Sequence, residues 1–262
     1  MREPEVIGAR LVEGIRDYFG RAGFGKAVLG LSGGIDSALC VSLLREALGA
    51  KNVTALILPY KKINPSSSAK LAKSFAKREG INCIVRPVDS FMRDISTLPW
   101  KQGKLAEANS VARVRAVVLY NYANSNNSLV VGAGNKSEIM LGYFTKYGDA
   151  AADVFPIGAL WKTQVLELAK ARGIPEEITS RTPSAELWKG QTDAAELGAG
   201  YDVLDEILQA HEAGEPRGAA HVGAGNKLKQ AREQYGSSLV EKVVTRIKAT
   251  EHKRQMPPVI DA

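Results

Sequence analysis

The stretch that most limits the fold is a strand-length aliphatic run, Ala27-Val28-Leu29-Gly30-Leu31, that passes through Ser32-Gly33-Gly34-Ile35-Asp36-Ser37 into a helical pattern of Cys40, Leu43, Leu44, Ala47 and Leu48 closed by Gly49. That is strand, loop and helix. The alternation continues with a strand over 53–58, a helix over 67–78, a third strand over 82–88, a helix over 105–123 and a fourth strand over 128–133. A preceding amphipathic helix over 4–21 carries Ile7, Leu11, Ile15 and Phe19 at helical spacing, and Gly23 and Gly25 end it. Such alternation implies an α/β fold with a doubly wound, Rossmann-like parallel sheet, whose ligand crevice lies at the carboxyl ends of the strands. Ser32 and Gly132 both fall there. Beyond Lys162 the pattern turns helical, over 162–171, 201–213 and 239–250, which adds extra C-terminal helices. No boundary divides the chain, so residues 1–262 read as a single domain.

The glycine loop predicts a phosphate site. Gly33 and Gly34 let the backbone pass close to a ligand, and the helix start aims free N–H groups and its dipole at one point. Ser32 and Ser37 add hydroxyls. Asp36 conflicts with an anion, since a carboxylate about 4 Å from a phosphate charge is repelled by about 4 kcal/mol at an effective dielectric of 20. A bridging Mg²⁺ resolves the conflict. The competing reading has Asp36 only capping the helix. The loop is not a Walker A motif, because Gly134-Asn135-Lys136-Ser137 lacks its upstream glycine at the required distance.

Composition narrows the remaining classes. The net charge of +7 is spread without a basic block, which argues against a nucleic-acid-binding arm and fits a small anionic substrate. Aliphatic runs are strand-sized, far from the roughly 20 residues that cross a bilayer, and no export signal is visible, so a soluble cytoplasmic protein without membrane partners is expected. Cys40 and Cys83 read as buried free thiols. His211 and His221 lack metal-ligand spacing and read as surface residues. Val-Gly-Ala-Gly-Asn-Lys occurs at 131–136 and again at 222–227 with unmatched flanks, a coincidence and not a repeat.

After the fourth strand come Gly132-Ala133-Gly134-Asn135-Lys136-Ser137-Glu138 and Gly142-Tyr143-Phe144-Thr145-Lys146-Tyr147-Gly148-Asp149. With the Ser32–Ser37 loop, these stretches resemble the ammonia-dependent NAD synthetases, of the ATP pyrophosphatase (adenine nucleotide alpha-hydrolase-like) group. The likeness continues through Asp153, Pro156, Lys162-Thr163-Gln164, the run from Thr182 to Trp188, Gly190-Gln191-Thr192-Asp193, Glu196-Leu197-Gly198 and His252-Lys253-Arg254. The resemblance implies that ATP adenylates the nicotinate carboxylate of deamido-NAD, releasing pyrophosphate, and that ammonia then displaces AMP to give NAD⁺. It places ATP against Gly30, Leu31, Ser32, Gly33, Gly34, Ile35, Asp36, Ser37, Ala133, Lys162 and Ser184. It assigns Mg²⁺ to Asp36 and Glu138, deamido-NAD to Arg113, Lys146, Asp153, His252 and Lys253, and the ammonium ion to Asp149. Asp149, Lys162 and Asp36 become the catalytic set, in a homodimer. Segments 61–68, 186–194 and the His252 region are expected to close over the site and exclude water.

Some positions have ordinary alternatives. Glu138 equally suits a solvated first-turn residue of a helix capped by Asn135 or Ser137, and Arg113 and Arg115 suit surface salt bridges. Tyr143, Phe144 and Trp188 read as core. Four residues depart from the family pattern: Ala133 replaces a threonine, Ala150 a glycine, Ala194 an acidic residue and Glu186 an aspartate. Alanine at 150 would be strained if the backbone there needs a positive φ, and neither Glu186 nor Ala194 is expected to touch the adenylation core. The competing functions are another ATP pyrophosphatase, such as a tRNA-modifying adenylating enzyme, and an ATP-binding module without catalysis.

Overall fold

A computed structural model describes residues 3–64, 66–188, 190–214 and 224–260; His221 and the first two residues of the second hexapeptide lie outside these. Four parallel strands, β1 (Ala27–Gly30), β2 (Val53–Ile57), β3 (Asn82–Val85) and β4 (Leu129–Val131), form a sheet in the order β3-β2-β1-β4. Around them run α1 (Pro4–Ala22), α2 (Ile35–Leu48), α3 (Ser66–Glu79), α4 (Asp89–Ser96), α5 (Lys104–Asn126), α6 (Lys136–Leu141), α7 (Lys162–Ala171), α8 (Glu176–Thr179), α9 (Asp193–Leu197), α10 (Tyr201–Gly214), α11 (Ala224–Tyr235) and α12 (Ser237–Ala249). The chain steps from β1 outward to β3, then crosses back through α4 and α5 to place β4 on the other side of β1. The order therefore reverses beside β1, and a crevice opens beyond the carboxyl ends of β1 and β4.

Both faces of the sheet are covered. Ala27, Leu29, Val53, Ala55, Leu129 and Val131 point into one core with α1, α2, α3 and α7, while Val28, Leu56 and Val130 alternate to the opposite face and meet α4 and α5. Burial on both sides explains why these strands read as unbroken aliphatic runs. A separate cluster built on Leu141, Leu204, Ile207, Leu208, Val240 and Val243 joins α6, α10 and α12. Its α10 also contacts α7, which ties these helices to the sheet layer.

The third strand stops at Val85, short of the expected 88, because Pro87 has no N–H and the chain then turns into α4. This is the edge strand, with Ile84 and Val85 exposed and Cys83 half-buried, whereas Cys40 is fully buried. The fourth strand ends at Val131, since Gly132 departs toward Val154 through an isolated bridge. Residues 66–68 and 193–194, expected as loop, begin α3 and α9. Among the described residues, no helix is long and apolar enough to cross a membrane.

Candidate active site

At the carboxyl end of β1 the loop closes on itself. Ser32 Oγ accepts the Gly34 N–H (3.1 Å), and Ser37 Oγ accepts the Ser32 N–H (3.3 Å) while donating to the Gly34 carbonyl (3.0 Å). Gly33 has φ +85°, and a Cβ there would lie 2.7 Å from the Ser68 carbonyl oxygen, so this position demands glycine. Helix α2 begins at Ile35 with no side-chain cap. Asp36 is therefore not a capping residue, and its carboxylate turns away from the helix end.

What it meets comes from distant parts of the chain. Asn135 Nδ2 donates to Asp36 Oδ1 (2.9 Å), and the Lys162 ammonium bonds Asp36 Oδ2 (2.5 Å) and Glu138 Oε1 (3.1 Å). Asn135 and Glu138 also form a capping box on α6, with the Glu138 N–H donating to Asn135 Oδ1 at 3.0 Å. Glu138 is thus a first-turn residue, but it faces the site and not bulk water. Lys162 opens α7 and is held there by Ser137 Oγ, which accepts its backbone N–H (2.9 Å) and itself donates to the buried Asp205 (2.5 Å). Burial raises the Glu138 pKa, Lys162 pulls it down and Asp36 pushes it up; the carboxyl stays above its ordinary range. Burial acting alone would lower the Lys162 pKa, but Asp36 and Glu138 outweigh it and keep the ammonium charged.

These residues line one cavity of about 580 Å³. Gly30, Leu31, Ser32, Gly34, Ile35, Asp36, Ala133, Glu138, Asp149, Lys162, Ser184 and Lys253 all reach it. Gly33 and Ser37 support the loop from behind. Ser184 Oγ donates to the Gln191 carbonyl (2.7 Å) and accepts the Glu186 N–H (3.1 Å), shaping the segment that roofs the cavity. Asp149 lines the cavity and is solvent-exposed, with Oδ1 held by the Thr145 N–H (2.8 Å). Crowding by protein raises its pKa against the pull of those backbone amides, Arg115 and Lys253.

Besides Gly33 and Ser37, four of the five residues expected to hold deamido-NAD, Arg113, Lys146, Asp153 and His252, lie outside the cavity lining. Arg113 is exposed and donates through Nε to the Lys146 carbonyl (3.3 Å), while the Lys146 ammonium donates to the carbonyls of His252 and Gln255. Asp153 stands across α5, where its carboxylate accepts the Val130 N–H (2.7 Å) and the Tyr120 hydroxyl (3.1 Å). Lys253 alone of this set reaches inward, anchored on the Gly142 and Phe144 carbonyls (2.8 Å each).

Several functional positions escaped the sequence reading. Arg115 is no surface residue; it turns inward, donating to the Leu58 carbonyl (3.0 Å) and to Asn64 Oδ1 (2.7 Å). Arg181 joins the phosphate loop to the roof, donating to the Gly33 carbonyl (2.8 Å), Ser68 Oγ (2.9 Å) and Glu186 Oε1 (2.6 Å). Glu186 makes no hydrogen bond to the glycine loop itself and is linked to it through the Arg181 guanidinium. Asn64 Nδ2 also donates to its carbonyl (3.0 Å), so the segments about 61–68 and 186–188 are already in contact. Tyr143, Phe144 and Trp188 form cavity wall, and the Lys104 ammonium sits 4.1 Å from the Trp188 ring centroid. Ala150 is unstrained: the positive φ in this turn belongs to Tyr147 (62°).

A carboxylate pair thus faces a lysine at the head of a Ser-Gly-Gly loop, beside the switch in strand order. The NAD synthase family model matches residues 7–257. The chain belongs to that family. The reaction of NAD synthases is the ATP-dependent amidation of deamido-NAD, which makes the members ligases. An NH(3)-dependent NAD(+) synthetase of Archaeoglobus fulgidus is 40% identical over 97% of this chain and 96% of its own length. Among solved structures, an NMN synthetase from Francisella tularensis superposes with TM-score 0.85 at 30% identity, covering 100% of both chains. An NH3-dependent NAD synthetase from Campylobacter jejuni, solved with nitrate, gives TM-score 0.82 at 27% identity with the same coverage.

Proposed function

We propose that this chain converts deamido-NAD to NAD⁺ with ATP and free ammonia, working as one undivided catalytic unit in the cytoplasm, where Cys40 and Cys83 stay reduced. The observation that carries the reading is the convergence of Asp36, Glu138 and Lys162 on one point at the head of the phosphate loop. An all-oxygen pair of carboxylates already bridged by a cation suits Mg²⁺, a hard ion usually held by one or two carboxylates plus phosphate oxygens. Held by Asp36 and Glu138, Mg²⁺ supplies charge neutralisation to the triphosphate.

The chain's own groups perform the rest. The backbone N–H groups of the 32–37 loop other than those of Ser32 and Gly34, which are engaged within it, and the positive end of α2 bind phosphate oxygens, with the serines of the loop and Ser184 beside them. The substrate carboxylate attacks the α-phosphorus, the bond to pyrophosphate breaks, and Lys162 offsets charge gathering on the leaving group. Ammonia then attacks the acyl carbon and AMP departs. Asp149, its basicity raised by its surroundings and its Oδ1 fixed by Thr145, attracts ammonium and accepts its proton. The roof that Arg181 and Asn64 tie down keeps water from the acyl-adenylate.

Deamido-NAD is proposed to bind Lys253 within the cavity and Arg113, Lys146, His252 and Asp153 along its outer side. In support, Arg113, Val117 and Tyr120, which holds Asp153, recur at helical spacing on α5. Trp100, Leu105, Val117 and Tyr147 are each more than half exposed, apolar side chains that a second copy would cover in a homodimer. The deciding experiment follows pyrophosphate and NAD⁺ production with deamido-NAD, with the corresponding mononucleotide acid or with tRNA, using ammonium or glutamine. Turnover is expected with deamido-NAD and ammonium and lost in Asp36→Asn. Preference for another acceptor, or near-normal turnover in that variant, would refute the reading.

A further inference from the structure

Lys162 occupies the place its own reaction requires it to leave. Its ammonium lies 2.5 Å from Asp36 Oδ2 and 3.1 Å from Glu138 Oε1. A divalent ion binding those same oxygens at about 2.1 Å cannot share that space with a second cation. The lysine side chain is only 9% exposed, so its charge cannot simply move into water.

A second acceptor stands beside it. Asp193, at the start of α9, is 3% exposed and belongs to the wall of the same cavity. Its Oδ2 accepts the Tyr201 hydroxyl at 3.1 Å, and the Tyr201 ring centroid lies 5.3 Å from the Lys162 ammonium. Its Oδ1 is the one buried side-chain polar atom among the described residues with no hydrogen-bond partner. A buried carboxylate oxygen left unpaired is costly, and its persistence calls for a partner in some working state.

We propose that Asp193 is a positioning residue that receives the Lys162 ammonium when metal and ATP take over Asp36 and Glu138. This rests on the reading of those two carboxylates as metal ligands. From the new seat Lys162 stays inside the cavity, paired and charged, and able to meet the phosphates. Asp193 arrives with the roof, its backbone N–H donating to the Pro183 carbonyl (3.0 Å), so the seat is complete only with the roof segment in place.

The test measures ATP affinity of the full chain by titration calorimetry, with Mg²⁺ and with chelator, for the parent, Asp193→Asn and Asp36→Asn. In Asp193→Asn the affinity gained on adding Mg²⁺ is expected to shrink about tenfold or more, the scale of one charge-assisted hydrogen bond, while metal-free affinity stays within about twofold. Equal loss with and without metal would mean a structural role and overturn the proposal. An undiminished Mg²⁺ gain in Asp193→Asn would also overturn it while leaving the metal ligands standing. An undiminished gain in Asp36→Asn would instead remove the metal reading and this proposal together. A crystal structure of the parent chain with Mg²⁺ and a non-hydrolysable ATP analogue gives a check independent of any variant. Lys162 Nζ is expected within hydrogen-bond distance of Asp193 Oδ1, and a lysine still bridging Asp36 and Glu138 would refute the idea.

Discussion

Lys162→Met should destabilise the ligand-free protein strongly at alkaline pH and only weakly at acid pH. The variant keeps the side chain's bulk but strips the cation from two carboxylates that are 18% and 19% exposed, too enclosed for water to screen them fully. Breaking a buried pair by removing one partner costs about 3–5 kcal/mol. Proton uptake sets a ceiling. Protonating an ordinary glutamate costs about 5 kcal/mol at pH 8 and about 1 kcal/mol at pH 5, at 1.36 kcal/mol per unit. The sign follows from linkage: a carboxyl whose folded pKa is raised binds more protons folded than unfolded, so stability falls as pH rises between the two values. Glu138 already has a raised pKa with Lys162 present, and removing the lysine raises it further. With a loss of about 3 kcal/mol at pH 8 and about 1 kcal/mol at pH 5, a chain of this size should lose about 6–12 °C and about 2–4 °C in Tm respectively. Scanning calorimetry of parent and variant between pH 5 and 8 reads the difference directly. A Tm gap that stays constant across that range would refute the electrostatic account and reduce Lys162 to packing.

Two further outcomes follow from the same geometry. Gly33→Ala forces a side chain onto φ +85° and against the Ser68 carbonyl at 2.7 Å, so the loop must shift; ATP affinity should drop at least about tenfold by calorimetry, and unchanged affinity would remove the loop from the phosphate site. Asp149→Asn should slow amide formation more than pyrophosphate release in rapid-quench measurements, because only the second step needs a proton acceptor; equal slowing of both would count against that role.

The layers of this fold were legible because they depend on local patterns. Strand β1, its glycine loop and α2 lie where an aliphatic run meets paired glycines, and α7 spans the residues its periodicity marks. Helix α4 was missed, being only eight residues long with Met92 its single fully buried side chain. Helix α11, whose sequence is strongly polar, offers only a thin apolar stripe of Leu228, Ala231 and Tyr235, and the second copy of the hexapeptide runs into its first turn. Local sequence sets helix starts; it does not say which tertiary surface a repeated motif will face.

The site is less local still. Asn135 and Lys162 stand 99 and 126 positions from Asp36 and meet it only because β4 returns beside β1. No spacing rule reaches that far; family resemblance alone brought Lys162 together with Asp36 and Glu138 in advance, and it left Asn135 as a helix-cap candidate. Arg181 lay beyond even that resemblance. It sits between α8 and the Thr182–Trp188 run, just outside the matching stretch, yet its guanidinium holds a loop carbonyl 148 positions away and a roof carboxylate five positions on. The same contact couples Glu186, which stands in place of aspartate, to the glycine loop. The longer side chain spans from a backbone at φ +47° to both Ser68 and Arg181, so the geometry of the roof and that of the phosphate loop are fixed by one carboxylate. Under the proposed function, a change at 186 is therefore expected to reach the adenylation step through Arg181 and Gly33, without any contact of its own with the loop.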